Sequence, residues 1–318
     1  MLAVRLKSGT VSVVQGARPR RPDGFALIRL LYGGICNTDL ELQRGYYNFS
    51  GTPGHEFVGE VVEADDRDWI GQRVVGDINL ACGKCEWCRR DLGRHCPRRT
   101  VLGILKHPGA FRELLTLPER NLHRVPREVS SEQAVFVEPL AAACEILDQV
   151  RIPRGAAVAV LGDGKLGLLI GQVLKAHGTE VHQYGRHKEK LRIAAAMGVD
   201  TQAVRKGKLP SAEYDWVVDA TGSAQGLQQA ARMARPRGTV IMKSTVHGLT
   251  EIDSASVIVN EITLVGSRCG RFEPALRLLR SGKVKVEGLI SEMLPLKDAR
   301  AAFRRAGTAG VLKVLLHA

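Results

Sequence analysis

Four cysteines stand within one short stretch, Cys82-x2-Cys85-x2-Cys88-x7-Cys96. Thiolates bind zinc at about 2.3 Å in a tetrahedron, so four sulfurs must converge from one compact loop. The two-residue spacers turn consecutive cysteines inward, and the longer spacer returns the fourth. Lys84, Arg89, Arg90 and Arg94 supply positive charge against one zinc ion held by four thiolates. A closed four-thiolate site has no vacant position, so its expected role is structural. An iron–sulfur cluster or unligated thiols are the alternatives. A zinc ribbon fits less well, because it needs two well-separated CxxC knuckles.

A second set lies upstream, in Gly34-Ile35-Cys36-Asn37-Thr38-Asp39 and Gly54-His55-Glu56. Taken singly, a cysteine is more often a small buried residue, and a lone histidine a core or surface one. Here each has glycine beside it, which lets the backbone turn sharply, and each has a carboxylate nearby.

A third set begins at Gly162-Asp163-Gly164-Lys165-Leu166-Gly167, a GxGxxG run. Alone the pattern is weak in a chain with 34 glycines. Its context is the informative one: the apolar strand Ala156–Leu161 precedes it and a helix follows. Such glycines permit a tight turn and close approach of a pyrophosphate to the helix N-terminus. The next strand ends Tyr184-Gly185-Arg186-His187-Lys188, with Gly185 where an NAD-binding chain usually carries an acid. A carboxylate repels a 2′-phosphate, whereas glycine leaves room and a guanidinium can bind it bidentately. Gly185, Arg186 and Lys188 therefore predict NADP(H) in preference to NAD(H); a solvated basic loop is the plainer reading. Asp219-Ala220-Thr221-Gly222 falls at a strand's carboxyl end, where the binding crevice of such a sheet lies.

The elements that must position these residues divide into two textures. Residues 1–130 are β-rich, with short apolar runs (Phe25–Tyr32, Phe57–Glu63, Arg73–Asp77, Gly109–Leu117) separated by Gly, Pro and Asp. A helix is expected over Ser131–Gln149, with Ser130 or Ser131 as N-cap. From residue 156 to 267 strands and helices alternate: strands at Ala156–Leu161, Glu180–Tyr184, Asp215–Ala220, Thr239–Ser244 and Ile262–Val265, helices at Lys165–His177 and Lys188–Met197. That alternation implies a parallel, doubly wound α/β sheet. The tail carries helices at Pro274–Arg280 and Leu296–Ala306 and a closing strand, Val311–Leu316.

The chain has 318 residues, enough for two domains with buried cores. Apolar residues make up 44% and charged residues 25%, a globular profile with no stretch long enough to span a membrane. The first residues lack a signal peptide's apolar core, so a cytoplasmic location is expected. Seven cysteines with four clustered also suit a reducing compartment, where clusters mean metal more often than disulfides. The net charge of +13 reads as a basic solvated surface or as preference for an anionic ligand. Nucleic acid is weakly supported, since aromatics are only 5% and no dense basic run occurs.

In their order and distances these motifs resemble the zinc-dependent alcohol dehydrogenase family of the medium-chain dehydrogenase/reductase superfamily, over nearly the whole chain. The resemblance is nearest to its polyol, glucose and threonine dehydrogenase branch. It implies a GroES-like β-rich catalytic domain over 1–138 and 269–318, with a structural zinc lobe near 80–100, and a Rossmann cofactor domain over 139–268. It implies two zinc ions per chain, with Cys36 and His55 as catalytic ligands. For the third ligand it offers Glu138, in Val137-Glu138-Pro139-Leu140, with Glu56 as competitor; Cys144 packs as an apolar residue. Asp39 would accept the second N–H of His55 and fix its tautomer. Thr38 would pass a proton outward, although Glu41 stands where simple-alcohol enzymes continue the relay with histidine. Thr221 would lie near the nicotinamide ribose. The implied reaction is hydride transfer between an alcohol or carbonyl small molecule and the nicotinamide, with the metal lowering the pKa of the alcohol oxygen. The segment Val257–Val265 would pair between subunits of a homodimer or homotetramer, and neither a membrane nor nucleic acid is expected as partner. A cofactor-binding sensor or scaffold without turnover is the competing class.

Overall fold

The strand expected from Phe25 runs through to Gly34 (β1, Phe25–Gly34) and forms the spine of the first sheet. Ala26, Leu27, Ile28 and Leu30 along it are buried. This description rests on a computed structural model and covers residues 1–204, 209–246 and 249–318. β1 pairs antiparallel with β2 (Glu56–Glu63), which in turn pairs with β3 (Arg73–Gly76). β4 (Leu114–Pro118) also pairs with β1, and β5 (Leu122–Arg124) extends the sheet beyond β3. Between β1 and β2 the chain forms helix α1 (Asn37–Gln43), with Cys36 as N-cap in an extended conformation.

The strand expected over Gly109–Leu117 begins only at Leu114, for a reason that matters to the site. The N–H groups of Gly109, Ala110 and Phe111 bond to the carbonyls of Thr52, Gly54 and Pro53 at 2.7, 2.9 and 3.1 Å. This segment therefore spends its backbone donors on the loop that carries His55. The packing is close enough to demand glycine: a Cβ at Gly109 would stand 2.2 Å from the Pro53 carbonyl oxygen.

The helix expected over Ser131–Gln149 is two helices, α2 (Ser131–Ala134) and α3 (Val137–Gln149). Ser130 caps the first through a reciprocal pair with Gln133. Pro139 explains the break. It has no N–H for the carbonyl four residues back, but it is tolerated in the first turn of a new helix. Glu138 is thereby placed at the start of α3.

The second sheet has six strands, all parallel: β6 (Ala157–Leu161), β7 (Glu180–Gly185), β8 (Asp200–Ala203), β9 (Tyr214–Asp219), β10 (Ala234–Met242) and β11 (Thr263–Gly266), in the order β8-β7-β6-β9-β10-β11. β8 has no apolar run to announce it; its pairing with β7 makes it a strand. Helix α4 (Lys165–His177) follows β6 and ends at Gly178 with φ 100°. Helix α5 (Lys188–Ala195) follows β7, α6 (Gly226–Met233) follows β9, and α7 (Ser254–Val259) precedes β11. This is the doubly wound α/β arrangement read from the alternation.

Helix α8 (Phe272–Arg280) comes next. The chain then returns to the first sheet through β12 (Ile290–Pro295), helix α9 (Ala299–Ala306) and β13 (Lys313–His317). β13 pairs antiparallel with the end of β1. Two compact units result: Met1–Glu138 with Ile290–Ala318, and Pro139–Leu289. Residues 269–289 thus group with the parallel-sheet unit by contact. Three contacts hold 270–285 to the parallel-sheet unit. Gly270 lies so near helix α3 that a Cβ would be 1.9 Å from the Ala141 oxygen. Arg271 pairs with Asp148 at 3.1 Å, and the Gln172 amide bonds both the N–H and the carbonyl of Lys285. No helix among the described residues is long and apolar enough to cross a membrane.

Candidate active site

In the first unit, ligand atoms of Cys36, His55 and Glu56 all lie within 4.8 Å of one another. Sulfur, imidazole nitrogen and carboxylate oxygen form a donor set suited to zinc. Local electrostatics fit a cation as well. Burial works against charge on His55, but the Asp39 carboxylate and the Cys36 thiol outweigh it and hold the imidazole well above its ordinary pKa. Glu138 stands outside the three-residue group, though its carboxyl feels the charges of His55, Glu56 and Lys313; burial pushes it up to about 7. The Thr38 hydroxyl is 3.8 Å from the Cys36 sulfur.

Asp39 joins the two ligand loops. Fully buried, it accepts the Cys36 N–H at 2.9 Å through one oxygen and the Gly54 N–H at 3.1 Å through the other. His55 Nδ1 lies 3.5 Å from the same carboxylate and has no hydrogen-bond partner among the described residues. The direct imidazole–carboxylate bond expected from sequence is thus a longer ion-pair contact. The carboxylate's two short bonds go to the backbone of the ligand loops instead.

Behind Glu56 stands Lys313 of β13, both about 1% exposed, joined in an ion pair. The ammonium also lies 5.8 Å over the Phe136 ring. Gly34 makes room for the pair: a Cβ there would be 2.7 Å from the Glu56 carboxylate. Burial opposes charge on Lys313, but the Glu56 charge outweighs it and raises the amine's pKa.

In the cysteine loop, Cys85 lies 3.4 Å from Cys88 and 3.7 Å from Cys96, and Cys82 is 3.9 Å from Cys88, sulfur to sulfur. A tetrahedron with bonds of about 2.3 Å has edges of about 3.8 Å, so the four sulfurs already outline a zinc site. The Lys84 N–H brings the Cys82 thiol down to about 6, and the Cys88 N–H lowers that of Cys85. The counter-charge is distributed differently from the sequence expectation. Arg89 bonds the Lys84 carbonyl and Arg90 bonds Glu86, whereas Arg98 carries the charge that interacts with the Cys82 thiolate.

In the second unit, Gly162 has φ 129° and donates to the Tyr184 carbonyl at 2.8 Å; a Cβ there would be 2.4 Å from the Ala220 oxygen. A Cβ on Gly167 would be 2.5 Å from the Gly162 oxygen, so this glycine lets helix α4 pack on the turn. Gly164 faces open space at the helix start, as close approach of a pyrophosphate requires. Beside the turn is a cavity of about 630 Å³, lined by Gly162, Gly164, Gly185, Arg186 and Thr221 among the residues expected there. Lys165, Leu166, Gly167 and Lys188 do not line it; Asp163, Tyr184, His187 and Lys190 do. Thr221 is held by Asp219, which accepts from its N–H at 3.0 Å and its hydroxyl at 2.8 Å.

Comparison with known proteins bears on both units. A model of the alcohol dehydrogenase GroES-like domain matches residues 22–127, and one of the zinc-binding dehydrogenase domain matches 166–281. The alcohol dehydrogenase TADH of Thermus sp. ATN1 is 30% identical over the full length of both chains, with a TM-score of 0.91. The chain belongs to the zinc-dependent alcohol dehydrogenase family. A zinc-binding dehydrogenase from Sinorhizobium meliloti 1021, solved with NADP, is 29% identical with a TM-score of 0.92, covering 100% of this chain and 99% of that one. Sorbitol dehydrogenase of Halalkalibacterium halodurans is 29% identical over 97% of this chain and 96% of its own. As a zinc-dependent alcohol dehydrogenase, the chain has donor sets consistent with two zinc ions and a turn for a nicotinamide nucleotide.

Sequence reasoning missed several members of this dehydrogenase's site. Lys313 had a legible signal, a charge in the middle of the apolar closing strand Val311–Leu316. Asp163, His187 and Lys190 had none beyond their neighbourhood to the glycine turn. For Lys313 the consequence is measurable. Lys313→Met leaves Glu56 buried without its counter-charge, which typically costs about 3–5 kcal/mol. Chemical denaturation of the zinc-loaded protein should show that loss, and a Lys313→Met/Glu56→Gln double variant should recover much of it. Wild-type stability in the single variant would mean the pair is dispensable.

Proposed function

We propose that this alcohol dehydrogenase transfers hydride between a polyol, sugar or secondary alcohol and NADP(H), giving an aldehyde or ketone. The observation carrying this reading is the convergence of half-buried Cys36 with buried His55 and a buried glutamate in one unit of a chain whose other unit holds the glycine turn. When bound, zinc would polarise the alcohol oxygen and ease loss of its proton, while the nicotinamide takes the hydride. Cys36 and His55 hold the metal, and Asp39 keeps their loops in register. The Thr38 hydroxyl receives the substrate proton, and Glu41, where simple-alcohol enzymes continue the relay with histidine, is paired with Arg44. The Glu138-Pro139 motif and the likeness to sorbitol dehydrogenase support a polyol or sugar substrate.

Two carboxylates compete for the third ligand position. Glu56 has the geometry, but its charge is already balanced by Lys313. We assign the resting position to Glu138, whose carboxyl feels the charges of the Glu56–Lys313 pair. NADP(H) is assigned from Arg186 and Lys190 on the cavity wall and from the absence of an acid at Gly185. We further assign a homodimer or homotetramer formed along the edge strand β11, where Leu264 and the nearby Ile258 and Val259 are 38%, 72% and 80% exposed. Such apolar exposure on an open sheet edge marks a contact surface.

Metal analysis should find two zinc ions per wild-type chain and one in Glu138→Gln, with Glu56→Gln retaining two; the reverse pattern would give the position to Glu56. Initial rates with a panel of polyols, sugars and secondary alcohols should be higher with NADP than with NAD. Arg186→Ala should erode that preference about tenfold, roughly 1.4 kcal/mol of lost phosphate binding. Turnover with NAD alone would rule out the NADP(H) assignment. Light scattering should give an oligomer that Leu264→Lys converts to smaller species, and a monomeric wild type would remove the edge-strand assignment.

A further inference from the structure

The space beside Gly185 is not empty. One oxygen of the Asp163 carboxylate accepts the N–H groups of Arg186 and His187, each at 2.6 Å, and lies 3.0 Å from His187 Nδ1. The aspartate is only 9% exposed. A Cβ at residue 185 would stand 2.5 Å from the Asp163 Cβ and 2.7 Å from its carboxylate oxygen. The nearer atom belongs to the root of the side chain, not its flexible end. An acid at the end of β7 and Asp163 in this position are therefore mutually exclusive occupants of one volume. Glycine at 185 is what the seated aspartate requires, so the acid of this subsite is relocated rather than lost.

We propose that Asp163 is a specificity-determining residue for the adenosine ribose of the cofactor. Supplied by the glycine-rich turn, it does from residue 163 what the strand-end acid does in an NAD-binding chain. Its carboxylate accepts a ribose hydroxyl and occupies the backbone N–H groups that a 2′-phosphate would otherwise claim. Arg186, His187 and Lys190 line the same cavity and pull the other way, because a phosphate gains from each cation. The two tendencies oppose each other at one place. The chain's preference for NADP(H) is then narrower than its basic turn alone would produce, and neutralising residue 163 widens it. The inference rests on reading this cavity as the ribose end of the cofactor site. Its direction does not depend on which cofactor the wild type prefers.

The test is direct binding, followed by the fluorescence of NADPH and of NADH titrated into the zinc-loaded protein. Asp163→Asn keeps an acceptor for the two N–H groups while removing the charge, and Asp163→Ser serves as a second variant if the first folds poorly. The ratio of the NADH to the NADPH dissociation constant should rise at least about tenfold in either variant, from a lost charge-assisted hydrogen bond and a lost like-charge repulsion together. Arg186→Ala should move the ratio in the opposite direction. An unchanged ratio, or a shift toward NADH, would overturn the proposal and leave Asp163 as a clamp for the turn. Unfolding of both variants would overturn it equally. Wild-type preference for NADH with the expected variant shift would defeat the NADP(H) assignment but not this one.

Discussion

The catalytic half of this protein depends on one buried carboxylate. Asp39 bonds the backbone N–H of Cys36 with one oxygen and that of Gly54 with the other, so a cysteine loop and a histidine loop share a single anchor. Hydrogen bonds to a charged acceptor contribute about 1.5–3 kcal/mol each, and more is at stake when the acceptor has no water to fall back on. The anchor also sets a field. A fully buried anion beside a thiol and an imidazole makes the pocket favourable for positive charge before any metal arrives. The same interaction thus fixes the geometry of the ligands and the sign of what they can hold.

Around that anchor the surrounding backbone is committed to the loops rather than to regular ladders. Gly109, Ala110 and Phe111 give their donors to residues 52–54 and shorten a strand in doing so. Gly34 gives up a side chain so that Glu56 and Lys313 can meet in the interior. A buried ion pair of this kind is weak evidence for stability, because desolvation offsets much of the attraction. Its value here is positional. It ties β13 to the carboxylate that groups with Cys36 and His55 and holds that carboxylate's charge in balance.

The cofactor unit shows how a local pattern can be read correctly and still mislead in one detail. The glycines of the 162–167 turn behave as their spacing implies: Gly162 fits against Ala220, Gly167 lets the helix pack, and Gly164 leaves the approach clear. Gly185 is different. A missing acid at a strand end suggests an open subsite, yet the space is filled by a carboxylate from a neighbouring turn. The two residues are far apart along the chain and adjacent only because β6 and β7 pair in parallel.

What the sequence determined by itself was whatever is encoded locally. The four cysteines at short spacings, the glycine turn after an apolar strand, the strand–helix alternation and the Ser130 cap are all set by neighbours in the chain, so the fold class and the family were legible from local patterns. Tertiary structure decided everything that needed two distant segments to meet. It chose Arg98 to face the thiolates, put Lys313 behind Glu56, split one expected helix between Ala134 and Val137, and kept 269–289 with the parallel sheet. It also brought Asp163 against Gly185. Spacing records which side chains can turn toward the same point; only packing records which of them arrive there, because burial and charge balance are settled between elements and not within them.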